Sequence, residues 1–438
     1  MTEQAGTGTG TGAPAARRQA GSLPYPDRPA GTDTIPQIEH IVVLVMENHS
    51  YDNKLGMLGR PGADGFALGA GGRPTATNPY ANGDVQHAFP MPTTCQLWGK
   101  PSQTWQDCHI QYAHGTNTGF VKSGSGPVAM GYWQEHNQPF YYSLARQFPI
   151  ADRYFCSLLG PTFPNRRFLI SGTSLGMIDD TIPGLTYPPN GTIFDRLDDA
   201  NVSWKDYCST LGVVISTAEL YPDLYLRNVG SKVVGVDSFF SDASSGQLPG
   251  FSLVEPNYLL GSEEDPQNIA VGEHFASRVI DAVMSGPAWE RTLLIWTYDE
   301  HGGYYDHVPP PAAIPPDDVP PDTSSGAPAF DGFGRYGFRV PCAVISPWAR
   351  PNFVSHEVFD HTSICALAEA KWNLAAMTRR DANANNMLDM LDLSRPAFRT
   401  PPTLSTPLLD TDPLGTLACE IMGPGTIPPP GSVTKASH

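Results

Sequence analysis

The chain has 438 residues, enough for one large domain or two ordinary ones, and 40% are hydrophobic, so a substantial core is available. Its 44 acids against 27 Lys+Arg leave a formal net charge of −17, which excludes a broad electrostatic grip on nucleic acid or an anionic membrane. With 43 glycines, 44 prolines and 10% aromatics it reads as loop-rich and globular, without an internal repeat.

Residues 1–30 are rich in Gly, Thr, Ala and Pro and are expected to form a disordered leader. Arg17-Arg18 has no apolar segment after it, so no twin-arginine signal is read there. One domain is expected over residues 31–420, with a flexible tail at 421–438. The apolar run Ile41 to Met46 is far too short to span a bilayer, and no transmembrane segment is expected.

Four apolar runs end abruptly in polar residues. "IEHIVVLVMEN" ends at Glu47-Asn48, "GFSLVEPN" at Glu255, "RTLLIWTYDE" at Asp299-Glu300 and "VPCAVISP" at Ser346. Such runs suit strands buried on both faces of a parallel sheet. Between them, residues 272–286 and 361–374 carry apolar positions at helical spacing, the first with a glycine after its end. Strands alternating with helices predict an α/β fold with a mostly parallel sheet. In such sheets ligands sit beyond the carboxyl ends of the strands, where the acids among these ends fall. Residues 308–330 hold eight prolines in 23 positions and are read as a long surface loop near the site.

There are seven cysteines. Cys95 and Cys108 are close enough in sequence for a loop disulfide. Cys156, Cys342 and Cys365 lie in apolar contexts and read as buried thiols. No CxxC spacing of the metal-binding type occurs.

Glu47 and Asn48 end one strand; Asp299 and Glu300 end another. Where the chain turns at a strand end, both side chains of a pair can converge on one centre. Four oxygen donors there suit one hard divalent cation: calcium, magnesium or manganese before iron or zinc. The plainer alternative is that each pair caps a helix or makes a surface salt bridge. "GPTFPNRRFLISG" reads as strand, sharp turn, helix, with Thr162 at the turn and Pro164 in the first helical turn. A hydroxyl at a helix N-terminus, touching a metal, can ionise and attack phosphorus, and the free N–H groups can hold phosphoryl oxygens. The alternative is a threonine N-cap.

These stretches resemble a known family. "VMENHSYDNKLGMLG", "GPTFPNRRFLISGTS", "WTYDEHGGYYDHVPPP" and "VPCAVISPWARPNFVSHEVFDHTSICALAEAKW" are similar, in the same order, to motifs of the bacterial phosphoesterase family of phospholipases C and related acid phosphatases. The resemblance runs from about residue 38 to 395. It implies the alkaline-phosphatase-like three-layer α/β/α sandwich. It also implies a metal ringed by Glu47, Asn48, Thr162, Asp299 and Glu300, with Thr162 the nucleophile of a covalent phospho-threonine intermediate.

"DCHIQYAHGTNTGF" is similar to a further family stretch and places His109 and Asn117 near the site, with His114 a neighbouring candidate. His109 and His301 are expected to act on substrate. Asn165, Arg166, Asn117, His307 and His361 are expected to contact it. Asp360 is expected to cap the helix that follows, and His356 lies in the same motif. The chain departs from the family after "LVEPNY", where Asp265 stands in place of a histidine. The resemblance implies a phosphoric ester hydrolase acting on a phosphate ester such as a phospholipid, with phospholipase C activity favoured. A broad acid phosphatase and an inactive binding protein on the same fold are the other readings.

Overall fold

The apolar runs form the centre of one eight-stranded sheet. The computed structural model describes residues 14, 16–96, 100–208, 216–258, 261–264, 268–408 and 427–437. The strands are β1 His40–Met46, β2 Ile150–Ala151, β3 Trp204–Cys208, β4 Val233–Gly235, β5 Phe251–Val254, β6 Thr292–Tyr298, β7 Cys342–Ile345 and β8 Val354–Ser355. Their order across the sheet is β8-β2-β7-β6-β1-β5-β3-β4. Neighbours run parallel except at β7, which is antiparallel to both β6 and β2.

Ser346 does not lie with the acids at the other strand ends, because β7 carries it to the opposite edge. There its Oγ donates to the carbonyl of Thr292, the first residue of β6.

All of β6 and all but the first residue of β1 are buried, so both faces of the sheet are covered. The helices include α1 Trp105–Tyr112, α2 Pro139–Gln147, α3 Thr162–Ser171, α4 Ile269–Ser285 and α5 His361–Trp372. α2 and α4 pack together, and α4 lies on β1 and β6. α3 and α5 form a second packed pair. Alternation along β6 serves both layers: Trp296 stacks on Tyr141 of α2 at 4.6 Å, while Thr297 meets the Tyr154 hydroxyl, which reaches His361 of α5.

Helix ends follow local chemistry. α4 starts three residues earlier than its apolar pattern, because Asn268 Oδ1 accepts from Ala270 N at 3.0 Å, and it stops at Gly286. Asp360 is the cap residue of α5, as expected, with its N–H donating to Ser363 Oγ at 3.1 Å. α5 stops where Asn373 turns left-handed, at φ +46°.

Both chain ends differ from expectation. Residues 17–29 are not a disordered leader. The Arg17 and Arg18 N–H groups donate to Asn383 Oδ1, and Gly21 N donates to Ala376 O. The Asn373 amide donates to the carbonyls of Tyr25, Arg28 and Pro29. Side-chain amides thus satisfy a backbone that lacks apolar anchors. In the tail, Val433–Thr434 pairs antiparallel with Val85–Gln86. Residues 308–330 contain no helix or strand; an Ala312–Arg335 bridge and the Asp322 N–H to Gly176 O bond tie them down.

The Cys95–Cys108 disulfide is not made. Cys108 is a free thiol inside α1, packed with Phe120, Leu159 and Phe338, while Cys95 is bonded elsewhere. Cys156, Cys342 and Cys365 are buried free thiols, as expected. Asp265 lies outside the described residues.

Candidate active site

Parallel register builds the centre of the site. β1 and β6 are adjacent, with Met46 opposite Tyr298, and Asp299 N–H extends the ladder onto Met46 O at 3.1 Å. Glu47-Asn48 and Asp299-Glu300 therefore leave the sheet side by side. One atom of the Asn48 amide lies 2.7 Å from Asp299 Oδ1, 2.9 Å from Glu300 Oε1 and 3.4 Å from Thr162 Oγ1. If that atom is nitrogen, it donates to both carboxylates. If it is oxygen, it accepts from the Thr162 hydroxyl, and a proton or a cation must lie between it and the two carboxylates. The donor set of Asn48, Thr162, Asp299 and Glu300 therefore fits a hard divalent ion.

Burial pushes Glu47 and Glu300 well above the usual carboxylate range. Asp299 is pushed by burial to about 6, with Arg166 pulling the other way. Glu47 faces inward: its Oε2 accepts from Ser262 Oγ at 2.7 Å, and Oε1 is 3.7 Å from Arg166 Nη2.

Thr162 is the first residue of α3, and Pro161 holds the cap position, so the threonine N-cap alternative is not realised. A single side chain shapes the turn before it. Asn165 Oδ1 accepts from Ser157 N and Leu158 N at 2.8 and 3.2 Å, and its amide donates to Gly160 O and Pro161 O at 2.9 and 3.0 Å. Asn165 is expected above to touch substrate; with its amide fully committed, it instead fixes the loop that presents Thr162. Past the acids, Gly302 has φ +65°, and a Cβ there would lie 1.8 Å from Asn48 O, so glycine is required.

Other expected contacts are also reassigned. Arg166 is turned onto the acids: it is buried, with Nε 3.0 Å from Asp299 Oδ2, Nη1 on Glu255 and its guanidinium over the Tyr258 ring. It is the counter-ion of the acids. His361 Nε2 bonds the Asp299 carbonyl at 2.6 Å, and burial lowers the ring to about 4. His301 is buried and lowered to about 3, with Nε2 2.7 Å from Gln111 Oε1 and Nδ1 3.3 Å from Glu300 Oε2. Asn117 donates to Asp306 O, away from the cluster.

His109 is not joined to the acids. Its Nδ1 bonds Trp105 O at 2.7 Å, and its ring stacks on Phe330 at 3.9 Å. It lines a separate surface cavity of about 650 Å³ with His114, Tyr112 and Arg335. The helical turn of α1 aims the ring at the proline-rich loop.

His307 belongs to another group. Asp52, Asp306 and His307 offer ligand atoms within 4.8 Å of one another, which makes them a second place able to hold a metal. Arg339 already sits among them, 3.1 Å from Asp52 and 2.8 Å from Asp306. Burial opposes charge on His307, but its hydrogen bond to Asp52 wins and raises it to about 9. Arg339 stands against these acids as Arg166 stands against those of the Asn48 cluster, so both groups are metal candidates.

Three residues near the site have no clear sequence signal. Ser262 holds Glu47, Gln111 holds His301, and Asp180 Oδ1 accepts from Phe163 N–H at 2.8 Å, beside Thr162. Glu255, at the end of a strand run, is legible in the sequence as a further acid of this edge beside Glu47, Asp299 and Glu300.

Residues 38–375 match the Phosphoesterase family. The chain belongs to the phosphoesterase family. Members of this family named phospholipase C B and phospholipase C A, both of Mycobacterium tuberculosis, are 33% and 32% identical to it. The alignments cover 86% and 92% of this chain and 82% and 85% of those proteins. Non-specific phospholipase C6 of Arabidopsis thaliana is 30% identical over 86% of this chain and 77% of its own length. A solved Vibrio parahaemolyticus protein of the alkaline phosphatase superfamily overlaps 82% of this chain and 71% of its own at 10% identity, with a TM-score of 0.38, too low to argue from. As a member of the phosphoesterase family, the chain is a phosphoric ester hydrolase with a mixed α/β fold on a mostly parallel sheet.

Proposed function

We propose that this phosphoesterase is of the phospholipase C type and cleaves phosphodiesters such as phospholipids through a phospho-threonine. The observation that carries this is the position of the Thr162 hydroxyl, at the start of α3 and 3.4 Å from the Asn48 amide that meets Asp299 and Glu300. Thr162 Oγ attacks phosphorus and loses its proton, the bond to the leaving alcohol breaks, and that oxygen gains a proton. Water then attacks phospho-Thr162, releasing the phosphorylated head group and restoring the hydroxyl. A divalent ion held by Asn48, Thr162, Asp299 and Glu300, with Glu47 beside them, would supply the positive charge that eases ionisation of Thr162; calcium, magnesium or manganese match these oxygens best, and iron or zinc are the alternatives.

His301 is a positioning residue in this reading: its Nε2–H donates to Gln111 Oε1, and its neutral ring packs beside Glu300 with Nδ1 3.3 Å from Oε2 and donating nothing to it. The acid phosphatase reading weakens because Arg166, the cation offered for a phosphomonoester dianion, is committed to the acids. An inactive binding protein would have no need of this converging set.

A substrate panel of phosphatidylcholine, a phosphodiester chromophore and a phosphomonoester chromophore tests the reading. The two diesters should show the higher kcat/KM. Acid quenching should trap a phospho-adduct that mass spectrometry maps to Thr162. A label on another residue, or inversion with a substrate chiral at phosphorus, would overturn the threonine mechanism.

A further inference from the structure

We infer that Asp180 is a specificity-determining residue, whose carboxylate occupies the helix N–H beside the nucleophile and disfavours dianionic phosphomonoesters relative to monoanionic phosphodiesters. This rests on the proposed Thr162 mechanism and deepens it.

The N-terminus of α3 is where a phosphoryl group on Thr162 would look for backbone donors. The N–H next to Thr162, that of Phe163, is already bonded to Asp180 Oδ1 at 2.8 Å. The chain therefore places its own carboxylate in this position; burial raises it to about 6, so it is an anion at neutral pH. Asp180 remains open to solvent, so it meets incoming substrate instead of being sealed inside the fold.

The surrounding charges do not cancel it. Glu264 acts on Asp180 and on Glu47, Asp299 and Glu300, and Asp180 acts on Glu300. Lys100, the cation nearest Asp180 in effect, is paired with Glu264 at 2.7 Å. Arg166 serves Glu255 and Asp299. A diester brings one negative charge to this mouth and a monoester brings two. One extra charge about 6 Å from a carboxylate, at an effective dielectric near 20, shifts a rate ratio by roughly tenfold to a hundredfold.

The test uses the full-length, metal-loaded enzyme with bis(p-nitrophenyl) phosphate and p-nitrophenyl phosphate. Asp180→Asn keeps the shape and removes the charge, and Asp180→Ser is a second variant should the first misfold. Asp179→Asn, at the next position, is the control for net charge; its carboxylate accepts from Thr181 N–H and not from α3. The expected result is a monoester-to-diester kcat/KM ratio raised at least tenfold in the Asp180 variants and unchanged in Asp179→Asn. An unchanged ratio in folded Asp180 variants overturns the proposal, as does an equal shift in Asp179→Asn. Loss of both activities together also overturns it, by making Asp180 part of the chemistry. A wild-type enzyme that labels a residue other than Thr162 but still gives the ratio change would sink the threonine mechanism and leave the charge effect of Asp180 standing.

Discussion

Arg166 looks in the sequence like a phosphate-binding arginine, and the fold makes it an internal counter-ion. It is buried against Asp299 and Glu255, with Glu47 at 3.7 Å. Arg166→Met leaves three buried acids short of a cation and should destabilise the fold by about 3–5 kcal/mol. Chemical denaturation in the presence of chelator reads this directly. The histidines give a second prediction at this scale. His307 is raised to about 9, so it binds its proton more tightly folded than unfolded. Its contribution is fully present below about pH 6.5 and is lost as pH rises through about 9. His301 and His361 are lowered by burial to about 3 and 4. The unfolded chain binds those protons first, so stability is lost as pH falls from about 6.5 toward those values. Stability should peak near neutral pH, and His307→Gln should flatten the alkaline limb while leaving the acid limb. A variant with the wild-type alkaline slope would show that His307 is not its source.

At the scale of elements, the turn into α3 depends on Asn165. Asn165→Ala strips partners from two N–H groups and two carbonyls in a buried loop, at about 1–3 kcal/mol for each group left unsatisfied. The loop must then relax, and Thr162 with it. Turnover should fall at least a hundredfold with a smaller change in KM, measured at a temperature where circular dichroism shows the variant folded. Normal kcat in a folded Asn165→Ala protein would show that the loop holds its shape by other means. The strand ends give another prediction. Asp299→Ala removes a proposed donor and the partner of Arg166 Nε, so metal content after dialysis should drop along with activity. Chelation of wild-type enzyme should abolish turnover, and readdition of calcium, magnesium or manganese should restore it. Unchanged metal content in Asp299→Ala would move the metal elsewhere, with Asp52, Asp306 and His307 the next place to test.

On the scale of the molecule, segments far apart in sequence close over α5 and over the small sheet. Asn373 alone donates to three carbonyls of the arm at Tyr25, Arg28 and Pro29 and accepts from Tyr25 N–H. Asn373→Ala should cost about 2–4 kcal/mol through those lost bonds and the left-handed turn that asparagine tolerates. Limited proteolysis should then cut between residues 17 and 30 before the catalytic core opens. Cleavage at the wild-type rate would mean that the arm is held mainly by its contacts to Asn383 and Ala376. Among the described residues no helix is long and apolar enough to cross a membrane.

The sequence by itself determined the strands, the main helices and the acids at the strand ends. Those signals are local: a strand buried on both faces must be apolar throughout, and its first polar residues mark the edge where ligands bind. Thr162 was legible for the same reason, since Pro161 and Pro164 on either side of it force a turn into a helix. The partner of each side chain was not legible. Arg166, Asn165, His307 and His109 have the residue types of a phosphate site, yet only the packing of α3 against the strand ends, and of α1 against the proline-rich loop, decided that Arg166 pairs with the acids themselves, Asn165 braces the loop before Thr162, and His307 and His109 sit in other groups. The reversal at β7 was not legible either, because an apolar run does not encode its direction in the sheet. The Cys95–Cys108 pairing failed because sequence proximity says nothing of a thiol turned into a helix core. Asp180, Ser262 and Gln111 stayed invisible because each acts through a single contact across more than a dozen residues, and such contacts exist only once the sheet has set its order and register.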